Sequence, residues 1–295
     1  MKLVAGITLM HEHTRIDLSG LKKNDDCNLN CFEQTIKEYK ELYQQGVRNI
    51  VDVTNIGMGG DAAYVQKVAK ASNINIIHAT GFYQDKFLPP IVFSKTVEQL
   101  AQIMIDQIEI GIDGTSAKAD IIGEIGTSKN EMTAAEQKVF KAAMLASRKT
   151  GKPLTTHTTL GTYGKEQVAF FKEHDFPLNM VMIGHVDLTG DTEYVLDLLK
   201  EGVYVELDTV GKHNYMADAV RLEMLKEIEE QGFENRVCLS LDITRKSQLK
   251  YLGGIGYTYM LDTFIPYLRA SGLSERFIEK MLIENPQRFF EEKSQ

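Results

Sequence analysis

The chain alternates between short apolar runs rich in β-branched residues and longer stretches with helical periodicity throughout its 295 residues. This continuous alternation predicts a single α/β domain over residues 1–295, in which a helix follows each strand. Eight runs are typical of buried strands, and they cover residues 4–11, 48–54, 74–80, 120–125, 153–157, 180–185, 203–208 and 237–242. Eight such strands predict a (β/α)8 TIM barrel.

Helical patterns fill the intervals between these strands. They cover residues 32–45, 62–71, 97–110, 134–150, 165–174, 192–201 and 217–231, and further helices are predicted at 261–271 and 275–283. Several end in glycine, for example at Gly46 and Gly151, as expected for a helix C-terminus. The connection at 246–257 is long and contains three glycines, which favours a lid or substrate-binding role over a tight turn.

Composition narrows the range of partners. Lys and Arg total 33 against 41 Asp and Glu, and a net charge of -8 argues against a general nucleic-acid or anionic-membrane surface. Cys27, Cys31 and Cys238 are an odd number of cysteines, which favours free thiols in a reducing compartment. The chain has no signal-peptide pattern and no 18-residue apolar run. We therefore expect a cytoplasmic protein without a nucleic-acid or membrane partner.

The strongest chemical signal is a set of histidines and carboxylates at the predicted strand ends. Six residues share this position: His11, His13, Glu124, His157, His185 and Asp242. In a barrel, the carboxyl ends of the strands meet on one face, and that face carries the active site. In the His11-Glu12-His13 triplet, residues two apart project to the same side of a strand, so both imidazoles can reach one metal while Glu12 points away.

These ligands suit two divalent metal ions. One ion would be held by His11, His13 and Asp242 and the other by His157 and His185, with Glu124 bridging them. The two carboxylates and a bridging hydroxide would leave a net charge of about +1 at the centre, and a water shared by two cations deprotonates near neutral pH. The hydroxide could attack a small ester, lactone or phosphoester, and Asp242 could take up its proton.

As an ordered set, these motifs resemble the phosphotriesterase-related group of the amidohydrolase superfamily, and most closely the bacterial phosphotriesterase homology proteins. The resemblance runs over nearly the whole chain, and its motifs are those at residues 11–13, 123–128, 156–158, 183–187, 239–242 and 285–286. It implies a distorted barrel, a binuclear centre usually isolated with zinc, and hydrolysis of a phosphoester, ester or lactone. It also allows a homodimer.

The chain departs from the family pattern at its fourth strand. Phosphotriesterases and related lactonases carry a carboxylated lysine there as the metal bridge, whereas this chain has Gly123 at the aligned position, followed by Glu124. Successive strand residues face opposite sides, so Glu124 needs a local bulge or shift to reach the metals. Lys118 lies too early on the strand to be the preferred bridge.

Residues after other strands are candidates for substrate binding. Arg245 and Lys212 follow strands eight and seven, where barrels often bind phosphate, and we predict that they recognise an anionic group on the substrate. A solvated charged loop is the alternative interpretation. Tyr83 and Tyr163 follow strands three and five and are predicted to line the pocket.

Two other functions fit parts of the pattern. A deoxyribonuclease of the TatD type shares the His-x-His start and the Gly-Glu-x-Gly strand, although the acidic composition argues against it. A non-catalytic barrel that retains metals is the second alternative, because fold does not determine function. We expect a small-molecule hydrolase.

Overall fold

The computed structural model describes residues 3–292 and contains the predicted barrel. Eight parallel strands form one sheet, and successive strands along the chain are neighbours in it. They are β1 (Ile7–Glu12), β4 (Val47–Asp52), β5 (Asn75–Thr80), β6 (Ala119–Thr127), β7 (Leu154–Thr158), β8 (Val181–Gly184), β9 (Tyr204–Leu207) and β10 (Val237–Leu239). A short antiparallel pair, β2 (Ile16–Asp17) and β3 (Asn28–Leu29), lies between β1 and β4 in the chain.

Helices surround the barrel. They are α1 (Ser19–Lys22), α2 (Phe32–Gln44), α3 (Ala62–Ser72), α4 (Pro90–Ser94), α5 (Val97–Glu109), α6 (Ala134–Thr150), α7 (Gly164–Glu173), α8 (Thr192–Lys200), α9 (Asp218–Glu230), α10 (Ile265–Ala270), α11 (Glu275–Glu279) and α12 (Asn285–Glu291). Turns of π-helix at Met260–Phe264 and Lys280–Glu284 precede α10 and α12. The sequence predicted the main helices to within a residue or two, and Gly151 ends α6 with a left-handed φ of 69°.

The buried Glu12 side chain connects the first and last strands of the barrel. Its Oε1 accepts hydrogen bonds from the amide of Leu241 at 2.8 Å and the hydroxyl of Ser240 at 2.9 Å. Its Oε2 accepts from the amide of Ile243 at 3.0 Å. The prediction that Glu12 points away from its histidine neighbours is confirmed, and its carboxylate closes the barrel where β1 meets β10.

Apolar side chains fill the barrel below the carboxyl ends of the strands. This interior cluster consists of Met10, Val51, Val53, Ile77, Ala79, Ile121, Met182, Tyr204, Cys238 and Phe289. A larger apolar layer lies between the strands and the surrounding helices. The predicted metal ligands therefore lie above an apolar interior. All three cysteines are buried free thiols, as predicted.

Within residues 3–292, none of the helices is long and apolar enough to cross a membrane.

Candidate metal centre and active site

The Glu124 carboxylate lies at the centre of four imidazoles. Its Oε2 is 3.1 Å from Nδ1 of His157 and 3.8 Å from Nε2 of His185. Nε2 of His11 is 3.6 Å from the same oxygen, whereas Nε2 of His13 is 3.6 Å from Oε1. The carboxylate thus faces one histidine pair from β1 and another from the ends of β7 and β8. The structure thus brings together Glu124 and the four histidines that the sequence indicated as ligands.

Asp242 approaches the first histidine pair from the segment after β10, the strand that adjoins β1. Its Oδ1 lies 3.2 Å from Nε2 of His13 and 3.9 Å from Nε2 of His11. The ammonium group of Lys212 contacts both Oδ2 and the backbone carbonyl of Asp242. One carboxylate oxygen therefore faces the imidazoles while the other is held by a lysine that is only 4% exposed.

A group of polar side chains fixes the orientation of the histidines. Nδ1 of His185 lies 2.5 Å from Oδ1 of Asp208, and Nδ1 of His11 lies 3.3 Å from Oδ2 of the same residue and 3.2 Å from Glu206. Nδ1 of His13 lies 2.8 Å from the hydroxyl of Thr54. Such contacts select the tautomer and direct the other ring nitrogen toward a shared ligand.

These orienting residues were not identified from the sequence, although the spacing of Glu206 and Asp208 could have indicated them. Glu206 and Asp208 stand two apart at the end of a buried apolar strand, so they project to the same side of it, as His11 and His13 do. Both are fully buried, and a buried carboxylate requires a partner. The hydroxyl of Thr54 carried no comparable signal.

Glu124 reaches the histidines through the irregularity that the sequence predicted in β6. Ile122 pairs with Leu154 and Ile125 with Thr156, so β6 has one more residue than β7 between these pairs. At Gly123 a Cβ atom would lie 2.1 Å from the carbonyl oxygen of Thr155, and φ is +138°. This backbone cannot carry the bridging lysine of the related enzymes at that position. Lys118 donates to the carbonyl of Glu109 on the exposed side and does not reach the site.

Neighbouring charges shift the pKa values of the cluster. Burial lowers the pKa of His11 and of His185, but the neighbouring carboxylates more than offset this and raise both. Burial raises the pKa of Glu124, but His11 and His157 more than offset it, and the net pKa lies well below the usual carboxyl range. Burial also raises the pKa of Asp242, which Lys212 and the nearby histidines bring well below its usual value. Both carboxylates are therefore ionised at neutral pH. Burial lowers the pKa of His157, so its ring is neutral and suited to metal ligation.

The same residues pass a direct test of fit to a metal ion. Within the described part of the chain, Nε2 of the fully buried His11 has no hydrogen-bond partner, although a buried polar atom normally has one. The candidate ligand atoms of His11, His13 and Glu124 lie within 4.8 Å of one another, as do those of Glu124, His157 and His185. Two adjoining sites that share Glu124 fit these donors.

A cavity of about 590 Å³ opens above the cluster and contains most of the predicted substrate-binding residues. Lys212 and Arg245 line it, and Tyr83 lines it with its hydroxyl 3.2 Å from the ring nitrogens of His157. Tyr163 is not among the lining residues. The turn after β7 instead brings Thr159 and Leu160 to the wall, and Tyr163 precedes the first residue of α7.

The long connection at 246–257 contributes Ser247 and Gln248 to the cavity wall. It is held against α2 by Glu38, whose two carboxylate oxygens accept from the amides of Lys250 and Tyr257, each at 2.8 Å. Ser247 also donates from its amide and its hydroxyl to Asp26. The predicted substrate-binding loop is therefore an ordered wall of the cavity.

An eight-stranded barrel with imidazoles and carboxylates gathered at its carboxyl end has the architecture of a metal-dependent hydrolase. The model of the Phosphotriesterase family matches residues 3–290, and the chain belongs to this family. The resemblance seen in the motifs is thereby confirmed, and the deoxyribonuclease interpretation of the same motifs is not retained.

Known relatives agree with this assignment. The chain is 47% identical over 286 residues to the phosphotriesterase homology protein of Escherichia coli, with 97% of this chain and 98% of that protein covered. The crystal structure of the E. coli protein, with phosphate in its active site, matches with a TM-score of 0.96 and covers 97% of this chain and 99% of that chain.

More distant relatives have different substrates in their names. The N-acetyltaurine hydrolase of Dictyostelium discoideum is 32% identical over 294 residues, covering 96% of this chain and 79% of that protein. The crystal structure of a lactonase from Listeria monocytogenes is 26% identical with a TM-score of 0.93, covering 99% of this chain and 96% of that chain. These relatives are all hydrolases or members of a hydrolase family, and this chain is a metal-dependent hydrolase.

Proposed function

We propose that the protein hydrolyses a small ester, lactone or phosphoester with two divalent cations. One cation is held by His11, His13 and Asp242, the other by His157 and His185, and Glu124 is shared between them. The position of the Glu124 carboxylate within 3.1–3.8 Å of all four imidazoles supports this most directly. Zinc is our first choice, because imidazole and carboxylate ligands in this number suit it.

Two divalent cations bound by these residues would lower the pKa of a water molecule to near neutral, which would supply a hydroxide nucleophile, and they would polarise the carbonyl or phosphoryl oxygen of the substrate. Asp242 would accept the proton that the hydroxide loses as it attacks, since its Oδ1 faces the histidine pair while Oδ2 is held by Lys212. Glu124 keeps its charge throughout, and Asp208 keeps the rings of His11 and His185 oriented.

The cavity supports a small substrate with an anionic group. Its volume of about 590 Å³ suits a small molecule. Lys212 and Arg245 line it, but each also faces a carboxylate. Lys212 contacts Oδ2 of Asp242, and Arg245 lies 3.8 Å from Oδ2 of Asp26. Arg245 is the more available of the two, with about a third of its side chain exposed. The phosphate in the active site of the E. coli relative and the lactonase among the relatives support this substrate class.

The test is a substrate panel assayed with defined metal content. The protein is stripped of metal with a chelator and reconstituted with Zn²⁺ or Mn²⁺. It is then assayed with lactones, carboxyl esters and phosphoesters, each with and without a phosphate group outside the bond that is hydrolysed. We expect turnover that depends on added metal and falls about 10²–10⁴-fold in Asp242→Asn, as for loss of a catalytic base.

Asp197→Asn is the matched control, because Asp197 is also paired with a lysine but is exposed on α8. It should leave turnover unchanged. Full activity in the chelated protein, or in Asp242→Asn, would contradict the proposal. Arg245→Gln should raise KM for phosphorylated substrates while leaving kcat and the neutral substrates nearly unchanged.

A further inference from the structure

The backbone of Glu124 is fixed by a side chain from a neighbouring loop. Glu124 lies in the stretch of β6 where the pairing with β7 slips by one residue. At this point the side-chain nitrogen Nδ2 of Asn55 donates a hydrogen bond of 2.7 Å to the backbone carbonyl oxygen of Glu124. The Glu124 amide donates to the carbonyl of Val53 at a longer 3.4 Å. The Asn55 contact is thus the shorter of these two links to the chain after β4.

Asn55 is itself held in place. It follows β4 by three residues and is only 6% exposed. The next residue, Ile56, donates its amide to the carbonyl of Gly81 at 3.1 Å and forms a bridge with Phe82 beyond β5. Asn55 therefore connects the loop after β4 to the backbone of Glu124, and it does not line the cavity above the metal centre.

A glutamate bridge has less freedom than a longer side chain. Its carboxylate must contact two cation sites from the backbone position that the bulge gives to Glu124. Position 123 has no room for a side chain that could replace it as the bridge. A small shift of this backbone moves both carboxylate oxygens away from their imidazole neighbours, because the side chain is too short to compensate. The position of this bulge therefore determines where the two carboxylate oxygens lie.

We propose that Asn55 is a positioning residue for the metal bridge, and that its hydrogen bond to the Glu124 carbonyl sets the distance between the two cation sites. The proposal rests on the two-cation function above. It adds a residue that no strand-end motif contains. Residues that support metal ligands in this way commonly change metal affinity by roughly 10–100-fold when they are replaced.

The experiment uses Mn²⁺ alone as the probe, with Asn55→Asp and Asn55→Ala. Both variants remove the amide donor, and the aspartate also places a second acceptor against the Glu124 carbonyl. Titration followed by electron paramagnetic resonance reports the affinity for each ion and the magnetic coupling between two ions that share a carboxylate. We expect affinity for the second Mn²⁺ to fall roughly 10–100-fold and the coupling to change.

The matched control is Asn49→Asp. Asn49 is a fully buried asparagine on β4, the strand that precedes Asn55, and its side-chain amide also donates to a backbone carbonyl, that of Val4, at 2.7 Å. It lies at the opposite end of β4, away from the cluster. Asn49→Asp should lower the melting temperature without changing the Mn²⁺ signal, which separates positioning from a general loss of stability.

The outcomes distinguish the two proposals. If Glu124→Gln loses the coupled signal while both Asn55 variants keep wild-type affinity and coupling, the role of Asn55 is wrong and the bridge stands. If the wild-type protein binds one Mn²⁺ or none, the two-cation function itself fails, and if Glu124→Gln still binds two coupled ions, Glu124 is not the bridge. Equal losses in Asn49→Asp and Asn55→Asp would likewise overturn the positioning role.

Discussion

Replacing Gly123 with alanine tests whether the glutamate bridge depends on a glycine before it. The added Cβ would lie 2.1 Å from the Thr155 carbonyl oxygen and 2.6 Å from its Cγ2, so backbone must move. Overpacking of this kind costs about 1–3 kcal/mol, and a φ of +138° costs alanine about 1–3 kcal/mol more. We therefore expect Gly123→Ala to lose about 2–6 kcal/mol of unfolding free energy.

Gly151→Ala is the control that separates the two contributions. Gly151 has a φ of +69° at the end of α6, but no atom lies within 4 Å of its added Cβ. Only the conformational cost of about 1–2 kcal/mol applies. Urea unfolding of both variants measures the difference, and metal titration of the folded proteins should show weaker binding only for Gly123→Ala. Equal stability losses, with metal binding intact in both, would refute the steric reasoning.

Three further predictions concern charged groups around the site. Asp208→Asn should weaken metal binding roughly 10–100-fold, measured by competition with a chelator, because Asp208 orients two of the imidazoles; unchanged affinity would exclude that role. Lys212→Met leaves the Asp242 carboxylate without its cation and should lower stability by up to about 3 kcal/mol in the metal-free protein. The loss should be smaller with Zn²⁺ bound, and equal losses in both states would contradict this. Burial raises the pKa of Glu38 in the folded protein above its usual value near 4.5. Protonated Glu38 therefore adds to the free energy of unfolding fully below pH 4.5, and this contribution is lost as pH rises through the pKa of the folded state. Glu38→Gln should remove this pH dependence of the unfolding free energy, measured by urea unfolding between pH 4 and 7. An unchanged pH dependence would show that other groups cause it.

The sequence predicted the barrel because its periodicity is unusually regular. All eight strands and the main helices appear at the predicted positions, since each strand is a short β-branched run and several helices end at a glycine. The six candidate ligands come together because parallel strands end on the same face. The irregularity at Glu124 was also predictable, because a strand of strict alternation would have turned its side chain outward.

Other parts of the site depend on contacts between distant segments. The pairing of Lys212 with Asp242 joins two loops 30 residues apart, and no local pattern indicates it. Tyr163 was predicted to line the pocket from its place after a strand, but the intervening turn changes the direction of the chain and brings Leu160 to the wall instead. Asn55 lies in a loop whose sequence resembles an ordinary turn, and only the structure shows that it contacts Glu124.

The most direct test of the account is metal content by elemental analysis of the wild-type protein and of Glu124→Gln, with Glu230→Gln as a control at an exposed site on α9. The account predicts close to two metal ions per chain in the wild type and the control. It also predicts fewer in Glu124→Gln, together with loss of turnover on the best substrate. Two ions per chain with full turnover in Glu124→Gln, or one ion or none in every form, would contradict a glutamate-bridged binuclear centre.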